Sequence, residues 1–155
     1  KKARSLAAYT GKTVLADDSG LEVDRLNGAP GIYSSRYAGE DATDDENNRK
    51  LLAEMQGVPG DERGAAFCCV LVLYRPDGTY EKFTGRWPGQ IGETLRGRRG
   101  FGYDPLFVPN DQPQRAVDAG EKLTSAEMEP AEKNAVSHRG KALRALVTSI
   151  EALVK

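Results

Sequence analysis

The chain has 155 residues with 22 Lys and Arg against 23 Asp and Glu, so it is long enough for one domain with a core, and its balanced charge gives no basic field for general nucleic-acid binding. No apolar run approaches the roughly 20 residues of a membrane-spanning helix, and no signal-peptide pattern opens the sequence. The cysteines, Cys68 and Cys69, are adjacent and would face opposite sides of a strand; with His138 the only histidine, they suit packing in a reducing compartment better than a disulfide or a metal, and the expected location is the cytoplasm.

Taken in order, Lys1 to Tyr9 reads as the middle or end of a helix stopping near Gly11. With no Met and no cap there, residues before it are expected to be missing. Two short strands follow, Thr13–Ala16 and Leu21–Asp24, then a Gly, Pro and Ser loop from Asn27 to Gly39. Thr43 and Glu46 have capping-box spacing and predict a helix to about Gln56, ended by Gly57 and Pro59. Ala65–Arg75 is a long, largely buried strand, Pro76-Asp77-Gly78-Thr79 a hairpin turn, and Tyr80–Arg86 the returning strand. Trp87-Pro88-Gly89 breaks that strand, and Gln90–Gly102 is a loop rich in Gly and Arg. Pro105–Pro109 is a short strand, and Asn110–Lys122 is polar and irregular. Thr124 and Glu127 predict a second capping box opening a helix to about Asn134. The last helix starts near Ser137, and its Leu143, Leu146, Val147, Ile150, Leu153 and Val154 form one apolar stripe for the core. Interleaved strands and helices give an α/β or α+β class with a mixed central sheet flanked by helices.

Three polar islands carry the chemistry. In the first, Asp17 and Asp18 end a strand beside Ser19-Gly20. Two acids at a strand edge can seat a hard cation such as Mg²⁺, which takes one or two carboxylates plus substrate phosphates; the same residues also make an ordinary solvated turn. The second, Gly100-Phe101-Gly102-Tyr103-Asp104-Pro105, sets two aromatics among glycines. Either ring suits stacking on a base and Asp104 suits a base N–H, and the alternative is a turn with its rings in the core. The third is Lys133 with Ser137-His138-Arg139-Gly140. Helix N-termini favour anions, and cations in a first turn oppose the dipole, a local misfit that points to function; the plain alternative is a routine Ser137 cap with exposed neighbours. Together the islands offer carboxylates for Mg²⁺, cations for phosphates, and aromatic and polar groups for a base.

The strings from Ala16 to Asp24, Gly28 to Ser34, Arg36 to Gly39, Trp87 to Gly89, Gly100 to Pro105 and Ser137 to Arg139 occur in this order over nearly the whole chain. Together they resemble the inosine/xanthosine triphosphate pyrophosphatase family. The resemblance implies Mg²⁺-dependent hydrolysis of deaminated purine nucleoside triphosphates (ITP, dITP, XTP) to monophosphate and pyrophosphate, cleansing the nucleotide pool. It implies that Asp18 is the catalytic carboxylate and metal ligand, that Asp17 supports it at the metal, and that Ser19 touches substrate. Lys2, sixteen residues before Asp18, stands where the family has a phosphate-binding lysine. Phe101 would stack on the base, Gly102, Tyr103 and Asp104 would shape its pocket, and Lys133, His138 and Arg139 would read its oxo group. The chemistry is consistent, because donors favour O6 of hypoxanthine or xanthine over the amine of adenine. A homodimer is implied, with neither nucleic acid nor membrane as partner.

Family members also begin with a strand and a Thr/Ser-Gly-Asn…Lys loop that cradles the triphosphate, and carry an upstream acidic metal ligand. Residues 1–155 contain neither, so the reading expects one domain lacking its N-terminal strand–loop–helix segment, weakly active or inactive as this exact polypeptide. Two competing readings are a non-catalytic nucleotide- or RNA-binding module, supported by Arg96, Arg98 and Arg99, and a structural role for the long hairpin as a dimer surface.

Overall fold

A computed structural model describes residues 2–154, with side-chain environments through Ala152; the side chains of Leu153 and Val154 lie outside the described residues. Helix α1 (Lys2–Thr10) leads into strand β1 (Val14–Val23). After a 3-10 turn at Gly31–Arg36 comes α2 (Asp44–Glu54), then the long strands β2 (Gly64–Tyr74) and β3 (Tyr80–Ile91) and the short β4 (Phe107–Pro109). Helices α3 (Gln114–Ala119), α4 (Pro130–Val136) and α5 (His138–Val154) complete the chain. The strands form one sheet in the order β1-β2-β3-β4. The α+β class holds; where the sequence reading has a mixed sheet, every pairing among the described residues is antiparallel.

The largest departure from the sequence reading concerns the acids. Asp17-Asp18-Ser19-Gly20 is neither a turn nor a strand end. It is the middle of β1, with Asp17 opposite Leu71, Asp18 opposite Val70 and Gly20 opposite Cys68. Gly20 is there for proximity: a Cβ at this position would lie 2.4 Å from the Gly31 carbonyl oxygen, so only glycine lets the 3-10 turn press against the strand. Trp87-Pro88-Gly89 likewise continues β3 instead of ending it. The Pro88 carbonyl accepts the Asn110 N–H at 3.0 Å, so its missing N–H lies on the β4 side, one residue before that ladder begins at Gly89. The bonding to β2 therefore loses nothing.

Alternation along the strands makes two unlike faces. Leu21, Val23, Phe67, Cys69, Leu71, Phe83 and Trp87 are buried under α2, α5 and the β4 region. The opposite face carries Asp18, Glu22, Cys68 and Arg86 and is covered in part by α1, whose Ala3 and Ala7 are buried. Both cysteines are free thiols, Cys69 buried and Cys68 half-buried.

Helix boundaries follow local chemistry. The Thr43–Glu46 capping box forms as read. The Thr124–Glu127 pair also makes its bond, Thr124 N–H to Glu127 Oε2 at 2.8 Å, yet no helix follows. The helix starts instead at Pro130, where Glu129 and Glu132 cap each other and proline's fixed φ suits the first turn. The stretch read as irregular, 110–122, contains α3, ended by Gly120. In α5 the core-facing residues are His138, Ala142 and Leu146; Leu143, Val147 and Ile150 are each more than two-fifths exposed, so the apolar stripe is only partly buried. Buried Arg63 ties the elements together through the carbonyls of Met55, Val58, Ile91 and Gly92.

Candidate active site

Ser19, Phe101, Gly102, Tyr103, Asp104, Lys133, His138 and Arg139 line one cavity of about 360 Å³. They come from β1, the loop before β4, α4 and the first turn of α5, so the sheet and two helices bring together what the sequence holds far apart.

Asp104 organises the floor. It is 3 % exposed, and its Oδ1 accepts from the Ser125 hydroxyl at 2.7 Å while Oδ2 accepts from the Phe101 N–H at 2.9 Å and from the Lys133 ammonium. A buried ion pair holds when further hydrogen bonds satisfy its remaining lone pairs, and Asp104 meets that condition. The Tyr103 hydroxyl donates to the Ser34 carbonyl at 2.7 Å, and burial pushes its ionisation well above the usual tyrosine value. Phe101 is left 60 % exposed, with Lys133 Nζ 5.2 Å and Arg139 Cζ 5.5 Å from its ring centre. Both cations are within cation–π range of this exposed ring at the cavity edge.

His138 and Arg139 depend on how closely α5 meets the sheet. A Cβ at Gly85 of β3 would lie 1.9 Å from the His138 carbonyl oxygen and 2.9 Å from the Ala142 nitrogen, so glycine is required beneath this helix start. The His138 ring stacks on Phe67 at 4.9 Å and 13°, and Trp87 lies 6.3 Å away. Its Nδ1 is buried with no hydrogen-bond partner among the described residues. Burial, reinforced by the Arg139 and Lys133 charges, lowers its pKa to about 4. The imidazole is therefore neutral at pH 7, with one N–H donor and one acceptor nitrogen.

Arg139 reaches back to β1. Its Nε donates to Asp17 Oδ2 at 2.7 Å, and Nη2 donates to Asp17 Oδ1 at 3.2 Å and to Ser19 Oγ at 3.3 Å. This bidentate pair fixes the guanidinium plane. The hydrogen bond from Arg139 is the main cause that holds the Asp17 pKa below the usual carboxylate value.

Asp18 points the other way. Adjacent strand residues face opposite sides, so Asp18 lies on the α1 side with Lys2 Nζ 3.5 Å from its Oδ1, both side chains about three-quarters exposed. Lys2, Asp17, Asp18 and Ser19 line a second, wider recess, and the two spaces share Ser19 and Gly20. Asp17 and Asp18 therefore do not converge on one point, and no group of three His, Cys, Asp or Glu among the described residues could enclose a metal. Asp18 alone offers an open carboxylate, which fits a hard cation that completes its shell with phosphate oxygens and water. Asp17, with both oxygens held by Arg139, does not offer one.

Two arginines of the 96–99 loop, Arg96 and Arg99, are engaged structurally. Arg96 meets Glu127 at 3.6 Å and Arg99 meets Glu129 at 2.8 Å. Sequence reasoning missed Ser34, Asp44, Asn48 and Ser125, which hold the 100–105 loop in place. Nothing in their spacing marks them, because their contacts span 21 to 69 residues.

The Ham1 family profile matches residues 1–149. The chain belongs to the Ham1 family. It is 54 % identical over 154 residues to a dITP/XTP pyrophosphatase of Vibrio parahaemolyticus, covering 97 % of this chain and 72 % of that protein. It is 50 % identical over 149 residues to one of Corynebacterium diphtheriae, covering 96 % and 70 %. Solved Ham1 proteins from Coxiella burnetii (TM-score 0.84, 43 % identity) and Staphylococcus aureus (TM-score 0.85, 40 % identity) each match over 97 % of this chain and 73 % of their own. Family membership bears out the resemblance read from the motifs.

Proposed function

We propose that this protein hydrolyses deaminated purine nucleoside triphosphates, ITP, dITP and XTP, to the monophosphate and pyrophosphate with Mg²⁺. The observation that carries the reading is one cavity in which an exposed Phe101 ring meets the Lys133, His138 and Arg139 donors, joined through Ser19 to an open carboxylate at Asp18. The dITP/XTP pyrophosphatase names of its relatives support the same substrate class.

Position supports the following roles. Phe101 stacks on the purine. Lys133, Arg139 and the neutral His138 N–H offer hydrogen bonds to O6, which an adenine amine cannot accept. Gly102, Tyr103 and Asp104 shape this pocket, and Ser19 meets the substrate where the two recesses join. Asp17 serves by holding Arg139. Lys2 binds phosphate, and Asp18 would hold the metal and orient the attacking water. When bound, Mg²⁺ supplies charge neutralisation at the phosphates and an acidified water. Water attacks the α-phosphorus directly in this reading and pyrophosphate leaves; burial pushes up the ionisation of the Cys68 thiol in the same recess, which disfavours a thiolate nucleophile. The free thiols Cys68 and Cys69 accord with a cytoplasmic protein. Family resemblance supports a homodimer and residues 1–155 acting as one domain.

The test is pyrophosphate release from ITP, dITP, XTP, GTP and ATP, with and without Mg²⁺, by the protein as its gene encodes it. Metal-dependent release favouring the deaminated bases is expected. Equal turnover of ATP and ITP, or release unaffected by chelation of the metal, would overturn the reading.

A further inference from the structure

The base loop is gripped from outside by α2. Gly102 lies between Phe101 and Tyr103, and its N–H donates to Asp44 Oδ2 at 2.7 Å. Its carbonyl accepts from Asn48 Nδ2 at 2.8 Å. The same Asn48 nitrogen donates to the Asp44 carbonyl at 2.7 Å, so the two contacts form one unit on one helix, 58 and 54 residues from the loop. Asn48 is 3 % exposed, so it is in place before any ligand arrives. Its neighbour Asn47 accepts from Ala38 N–H at 2.8 Å and donates to the Ser35 carbonyl at 3.2 Å. That holds the 3-10 turn whose Ser34 carbonyl receives the Tyr103 hydroxyl.

We propose that Asp44 and Asn48 are positioning residues for base selection, clamping the Gly102 backbone so that the Phe101 ring is presented over the donors of Lys133, His138 and Arg139. The proposal rests on the substrate class given under Proposed function. A ring 60 % exposed gets only part of its orientation from its own contacts. The rest comes from the backbone: the Phe101 N–H on Asp104, and both polar groups of Gly102 on α2. A loosened loop lets the base shift relative to the donors, and discrimination between an oxo group and an amine falls.

Four variants separate the clamp from helix stability. Asp44→Ala and Asn48→Ala remove its two halves, and Asp44→Asn keeps an acceptor for the Gly102 N–H. Asp45→Ala removes the neighbouring first-turn charge, which pairs with Arg49 at 2.7 Å and does not touch the loop. Two readouts are taken: amide hydrogen exchange over residues 99–104 without ligand, and the ratio of kcat/KM for ITP over ATP, which does not depend on the folded fraction. Asp44→Ala and Asn48→Ala are expected to speed loop exchange and to lower the ratio about tenfold, the scale of one lost hydrogen bond to a charged or buried group. Asp44→Asn should recover most of the ratio, and Asp45→Ala should leave both readouts at wild-type values. Unchanged loop exchange, or an unchanged ratio, in both alanine variants overturns the proposal, as does an equal effect from Asp45→Ala. If the wild type itself shows no preference for ITP, the substrate reading fails, and the exchange rates alone decide the clamp.

Discussion

Asp17 and Asp18 are neighbours in sequence and opposites in structure. Asp17 faces the packed side of the sheet, where Arg139 holds both its oxygens and leads into a cavity walled by interlocked polar groups. Asp18 faces the open side, with one exposed lysine 3.5 Å away. One residue of strand thus separates an acid fixed by Arg139 from an acid open to solvent. The Arg139 side is held by protein contacts, with His138 Nδ1 and Asn48 Oδ1 buried there without a partner among the described residues, whereas Asp18 has a single exposed ion-pair partner.

The contrast breaks in a predictable order. Asp18→Asn should lower turnover by roughly 10²- to 10⁴-fold, the range for losing a positioned catalytic carboxylate, while leaving the melting temperature unchanged because the side chain is exposed. A fall in melting temperature with turnover retained would reverse the assignment. Asp104→Ala should do the opposite kind of damage. It strands partly buried Lys133 and frees the Phe101 N–H, costing up to about 3 to 5 kcal/mol of stability in chemical denaturation. A cost under about 1 kcal/mol would mean that Lys133 finds water or another partner.

The pH dependence sharpens the comparison. The folded His138 pKa is about 4 against about 6.5 in an unfolded chain, so between these values the unfolded state binds more protons. Its contribution is fully present above pH 6.5 and is lost as pH falls towards 4, on the order of 3 kcal/mol in all. His138→Gln should flatten that part of the profile in urea titrations run across the window, and an unaltered slope would show that another group is responsible. Asp17, held low by Arg139, acts in a lower window: its contribution is present above about pH 4 and disappears below, weakened because the pair is partly exposed. The smallest effect belongs to Lys2→Ala. Its exposed contact to Asp18 should leave the melting temperature unmoved and raise KM for the triphosphate.

Much of this protein was legible from residue order. The hairpin turn at 76–79, the Thr43–Glu46 capping box and the helical start of the chain depend on neighbours within a few residues, and local chemistry determines them. The three polar islands also stood out, and the Phe101–Asp104 loop, Lys133, His138 and Arg139 share a cavity. Long-range packing decided the rest. Asp-Asp-Ser-Gly has turn composition, but pairing with Leu71, Val70 and Cys69 makes it strand, and strand alternation then divides the two acids between faces. Pro88 stays in β3 because its missing N–H falls outside the ladder, a fact about neighbouring strands and not about proline. The apolar stripe of α5 lost Leu143, Val147 and Ile150 to solvent because the sheet, through Gly85, accepts the face bearing His138 and Ala142. The hold of α2 on Gly102 spans more than fifty residues, a distance at which spacing carries no signal and only the fold brings donor to acceptor.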